Sequence, residues 1–68
     1  MKVKTSIGII NANKDTLLDI ELAFIEAEKS YKYNGLNSLA SNANKVRKEI
    51  YDARQKVINK ERRYNNEN

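Results

Sequence analysis

The sequence predicts an all-α fold: an antiparallel two-helix hairpin with a short extended N-terminal arm, completed by oligomerisation or partner docking. Three observations predict it. Two long segments with helical apolar spacing, 13–34 and 36–64, flank the one strong breaker, Asn34-Gly35. The first of these segments carries two apolar stripes where a helix with one neighbour needs one. The chain has 68 residues and contains no Cys, His, Pro or Trp. Disulfides and the usual zinc sites therefore cannot staple so small a core, and a second chain is the remaining staple. One domain, 1–68, is expected.

Residues 1–12 read as an extended arm. Val3, Thr5, Ile7 and Ile9 alternate with Lys2, Lys4, Ser6 and Gly8, which is the period of a half-buried strand. A single strand has no partner of its own, so the arm is expected to need another strand or a groove. Asn11 to Lys14 is a polar break. Asn13 or Asp15 then offers an N-cap, with a side-chain oxygen accepting from free first-turn amides. Asp15 and Asp19 also place negative charge where the helix dipole favours it.

From Thr16 to Tyr33 no Gly or Pro intervenes and Leu, Ala, Glu and Lys dominate, so helix 1 spans 13–34. Asn34-Gly35 ends it, since either residue takes the left-handed conformation that closes the last carbonyls. Helix 2 spans 36–64, with Ser38 or Ser41 as candidate caps. Its apolar stripe is Leu36, Leu39, Ala43, Val46, Ile50, Ala53, Val57, Lys60 and Tyr64, a sustained 3-4 spacing suited to coiled-coil-like packing. Residues 65–68 form a polar tail.

The stripes set the interaction surface. At about 100° per residue, Leu17, Ile20, Ala23, Phe24, Ala27 and Tyr31 form one stripe of helix 1. Leu18, Leu22, Ile25 and Tyr33 form the other. A hairpin supplies one neighbour, so the second stripe is expected to meet another chain. Helix 2 has a minor line of Ala40, Tyr51 and Ile58. The expected oligomer or partner interface is therefore Leu18, Leu22, Ile25, Tyr33, Tyr51 and Ile58, with a homodimer favoured or a larger protein as the partner.

Charged seams suggest the register. Glu21 and Glu28 are seven apart on helix 1, and Arg47 and Arg54 are seven apart on helix 2. Facing residues of an antiparallel hairpin share one sum of residue numbers. Glu28 with Arg47 and Glu21 with Arg54 give the same sum, so one register is expected to satisfy both pairs. Helix 1 (13–33) holds five acids and three bases, and helix 2 (36–64) eight bases and three acids.

Composition narrows function. Without Cys or His, the commonest nucleophiles, bases and transition-metal ligands are absent, and the glycines are too isolated for a phosphate loop. No catalytic residue, cofactor or metal is expected, and the chain reads as a non-enzyme. No apolar run approaches a membrane span and no leader pattern is visible, so a cytoplasmic protein without membrane contact is expected. The expected role is a small protein-interaction module: an inhibitor, adaptor or chaperone. Virus- or plasmid-encoded inhibitors of host machinery exemplify the class.

A second reading concerns nucleic acid. The net charge is +4, and Lys45, Lys48, Lys56, Arg62 and Arg63 lie on the outer face of helix 2. A basic alternating arm, a helix, a Gly-containing turn and a second helix follow in order. That layout resembles the ribbon-helix-helix family of DNA-binding dimers, whose paired arms enter the major groove. The resemblance implies Lys2, Lys4 and Ser6 as groove contacts and polar residues at the start of helix 2, such as Ser38 or Ser41, as phosphate contacts. Lys45 and Lys48 on the basic face of helix 2 are further candidate nucleic-acid contacts.

Overall fold

The computed structural model describes the backbone of residues 1–66 and the side chains of residues 1–62. The elements are β1 (Lys2–Thr5), β2 (Gly8–Asn11), α1 (Lys14–Tyr33) and α2 (Asn37–Asn66). The chain is mostly helical, as expected, and the two helices form an antiparallel hairpin. The single extended arm is corrected: β1 and β2 pair antiparallel with each other, Lys2 opposite Asn11, Val3 opposite Ile10, Lys4 opposite Ile9 and Thr5 opposite Gly8.

The arm supplies its own partner strand through a tight turn at Ser6-Ile7. Neither of those residues has a positive φ, and Gly8 takes φ 125°. Only glycine adopts that conformation without strain. Thr5 braces the turn, its hydroxyl donating to the Gly8 carbonyl at 2.6 Å and accepting from the Ile7 amide at 3.3 Å. The reversal changes which side chains share a face. Val3 is buried and Ile10 half-buried on the inner face, while Lys2, Lys4 and Ile9 are exposed on the outer one.

α1 starts as expected. The Asn13 side chain accepts from the Thr16 amide at 2.8 Å, which satisfies one free first-turn donor. It ends in a Schellman closure: the Leu36 amide donates to the Tyr31 carbonyl at 2.8 Å and the Gly35 amide to Lys32 at 3.1 Å. Gly35 has φ 74°, the left-handed value this closure requires. α2 begins at once, with the Ala40 amide donating to the Leu36 carbonyl at 3.0 Å. Ser38 and Ser41 thus lie inside the helix and cap nothing. Residues 65 and 66, read as tail, continue α2. The Arg63 and Tyr64 side chains, placed on the basic face and the stripe of helix 2, lie outside the described residues.

The core is small. Leu17, Val46 and Ile50 are fully buried with Val3 among them, and Ile10, Ala12, Ile20, Phe24 and Ala53 pack around that cluster. Ala40, assigned to the minor line of helix 2, is buried, and Ala23, assigned to the main stripe of helix 1, is exposed.

Candidate functional site

The register between α1 and α2 is carried by polar pairs. Glu21 is 5% exposed and is held by Arg54, whose Nη2 and Nε lie 3.0 and 3.1 Å from one carboxylate oxygen. Lys14 reaches Glu61 at 2.9 Å. These two pairs share one sum of residue numbers, so they are rungs of the same antiparallel ladder. Glu28 and Arg47 stand level on a third rung but do not pair. Glu28 takes Lys32 at 2.9 Å, one turn along α1, and Arg47 donates to Asn44 at 2.8 Å. Each of these charges is thus satisfied by a partner on its own helix, at an energy close to that of the cross-helix pair. Lys32 holds the Glu28 carboxyl below its ordinary range, and the field of Arg47 adds to that effect.

The β-hairpin covers one side of this two-helix layer. Ser6 donates to one Glu49 oxygen through both its hydroxyl (2.7 Å) and its amide (3.1 Å), tying the turn to α2. Ile7 closes an apolar groove of about 240 Å³ with Phe24, Tyr31, Leu39, Ala43 and Val46. Ser6, expected as a groove-facing contact to DNA, is thus spent on Glu49.

The other side of the layer is uncovered. Glu49 and Tyr51 lie about 160° apart around α2, so the β-hairpin and Tyr51 occupy opposite faces. Tyr51 flanks Arg54, its ring centroid 6.0 Å from the guanidinium carbon, and Ile58 follows two turns on. Across the layer, Leu18 and Ile25 flank Glu21 on α1, with Leu22 beside them. Leu18, Leu22 and Tyr51 are exposed, Leu22 by 51%, and Ile25 and Ile58 half-buried. Five of the six expected interface residues therefore converge on one face around the Glu21–Arg54 pair. Tyr33, 92% exposed, continues the line of Leu18 and Leu22 at the last turn of α1, beyond the patch.

Of the expected nucleic-acid contacts, Lys2 and Lys4 stand on the outer face of the β-hairpin, and Lys45 and Lys48 are exposed on α2, Lys45 beside Glu49 and the hairpin turn and Lys48 within the field of Glu28. Sequence reasoning missed the groove under Ile7, because Ile7 was assigned to a lone strand. The signal that could have found it was Gly8, a turn glycine between two short apolar runs. Among the described residues, no His, Cys, Asp or Glu cluster could hold a metal ion, and no helix is long and apolar enough to cross a membrane.

The Ser6 tether is pH-sensitive. Its two hydrogen bonds hold the Glu49 carboxyl below the ordinary carboxylate range. The unfolded chain has the ordinary value, so the tether contributes fully above that range and is lost as pH falls through the lowered value. The Ser6 amide resonance is expected to titrate with a midpoint below that of a free Glu. In Glu49→Gln the titration should vanish. A Ser6 resonance that ignores pH in the wild type would show the tether absent.

No protein-family model, curated protein or solved structure matches the chain.

Proposed function

We propose that this chain is a non-catalytic protein-interaction module that works through its uncovered helical face, by self-association and by docking on a larger protein. The observation that carries the reading is the convergence of Leu18, Leu22, Ile25, Tyr51 and Ile58 on the side of the helix layer that the β-hairpin leaves bare. A contiguous apolar patch with a polar rim marks a protein contact surface. The Glu21–Arg54 pair suits such a surface, because its partners satisfy each other before any partner arrives. The class is that of inhibitors, adaptors and helical chaperones. Light scattering at two concentrations tests it: a mass above one chain that rises with concentration is expected. A strict monomer that captures no protein partner through this face would end the reading.

The nucleic-acid alternative rests on one observation, a two-stranded β-ribbon with Lys2 and Lys4 exposed on its outer face. The major groove admits such a ribbon. Here each ribbon comes from one chain, so a duplex contact would not require arms from two chains. Binding of a DNA duplex at about 50 mM salt that weakens steeply as salt rises would bring this reading forward.

A further inference from the structure

The bare face has a charge asymmetry that selects one occupant and one orientation. The outer edge of α1 beside Leu22 carries Asp15, Asp19 and Glu26 with Lys29 among them, and the outer edge of α2 beside Tyr51 carries Lys48 and Arg62 with Asp52 among them. All seven are exposed. One edge of the patch is net acidic and the other net basic, so the face is complementary to itself when one copy is turned over onto another.

We infer that the occupant is a second copy of this chain, stacked face to face about a two-fold axis parallel to the helices. This rests on the self-association half of the proposed function and goes further by fixing the geometry. With the axis along the helices, α1 of each copy lies over the partner's α2, and the β-hairpins stay outside. A two-fold axis across the helices would instead lay α1 on α1 and put acidic edge on acidic edge. Like charges in register disfavour that arrangement.

The axial levels agree. A two-fold axis along the helices preserves height, so an α1 residue meets the partner's α2 residue that completes the sum fixed by the Glu21–Arg54 rung. Glu26 then stands within one residue of the level of the partner's Lys48, and Asp15 within two of the partner's Arg62. Glu26 already holds Lys29 loosely at 3.7 Å and takes the partner's Lys48 on its other side. Leu22 comes within two residues of the level of the partner's Tyr51, and Leu18 within one of the partner's Ile58, so apolar meets apolar between the charged edges. The product is an antiparallel four-helix bundle.

Surface area supports a partner of this size. The chain exposes 5223 Å², against about 4,400 Å² for a compact monomer of its mass. The excess is of the order of the ~800 Å² that each partner brings to a standard interface. The extents are 51 × 20 × 15 Å, a thin slab that stacking two copies would thicken.

Charge exchange tests the orientation. Glu26→Lys and nitrogen-15-labelled Lys48→Glu are prepared separately, mixed, refolded together at low salt and weighed by native mass spectrometry. Both positions are exposed, so the helical circular dichroism of each variant should match the wild type. In the proposed dimer each single reversal opposes like charges twice, while the mixed dimer has two opposite-charge pairs. A wild-type dimer, and a mixed dimer favoured about ten-fold over the statistical ratio, are expected. A wild-type dimer with statistical mixing would overturn the orientation and leave self-association standing. A wild-type monomer throughout the concentration range would overturn the second copy as occupant. A protein partner captured through the same face would then preserve only the docking half of the proposed function.

Discussion

Arg54→Ala is expected to destabilise the fold by about 3–5 kcal/mol, the usual cost of stripping one partner from a buried ion pair. The Glu21 and Arg54 side chains are 7% and 14% exposed, so truncating Arg54 strips a largely buried carboxylate of its partner. A domain this small has only a few kcal/mol in hand, and chemical denaturation should find the variant largely unfolded. The double replacement Glu21→Leu/Arg54→Leu should behave differently. It removes both charges together, and neighbouring Leu18, Ile25 and Ile58 can accept the new apolar surface. Stability equal to or above the wild type is expected for the double variant. If Arg54→Ala unfolds no more readily than the wild type, the pair is wet and the face around it is not the dry centre of an interface.

The contrast between those variants explains why a charged pair sits in the middle of an apolar face. Two leucines there would bury more area but accept any rotation or slippage of α1 along α2. Glu21 and Arg54 admit one level. The rung at Lys14–Glu61, two turns away, repeats that level with its charges reversed, so a shift by one heptad would bring Glu21 against Glu61. The ladder therefore discriminates between registers even where its exposed rung contributes little energy.

This ladder is also the part of the molecule most legible in the sequence. Heptad spacing and one common sum placed Glu21 opposite Arg54 from residue numbers alone, and the pairs Asn13 or Asp15 and Asn34-Gly35 marked the ends of α1 by their chemistry, the structure choosing Asn13 as the cap. The same arithmetic could place Glu28 level with Arg47 but could not choose between Arg47 and Lys32, because competing partners differ by fractions of a kcal/mol. The β-hairpin was illegible for another reason. Alternation over Val3 to Ile9 has the same period whether the chain runs straight or doubles back. The choice is made by tertiary contacts: Val3 and Ile10 bury against the helices, and Ser6 ties to Glu49. Once the strand turns, Ile9 moves to the outer face and Ile10 to the inner one. Five of the six residues expected at an interface lie on the side of the helix layer that the β-hairpin leaves bare, and that this side is bare became visible only when the β-hairpin was seen to occupy the other.

Leu22→Glu is expected to dissociate the proposed dimer while leaving the monomer folded. Leu22 is 51% exposed in the single chain and lies on the far side of α1 from Leu17 and Phe24, so a carboxylate there meets solvent when the chain is alone. In the two-fold dimer the substitution acts twice, once in each copy. Each site loses the burial of the exposed half of a leucine, about 0.8–1.5 kcal/mol, and gains a carboxylate that must be desolvated without a partner. Together these raise the dissociation constant by about a thousand-fold or more. Ile25→Glu should act the same way but cost some monomer stability as well, because Ile25 is half-buried before any partner binds. Ala23→Glu is the control: Ala23 is exposed on α1 but stands off the patch, so the mass should stay that of the wild type. Sedimentation velocity checks the mass of all three variants and circular dichroism their helicity. A Leu22→Glu protein that keeps its dimeric mass would place the interface elsewhere, at the groove under Ile7 or on the outer face of the β-hairpin. The bare side of the helix layer would then be a solvated surface despite its leucines.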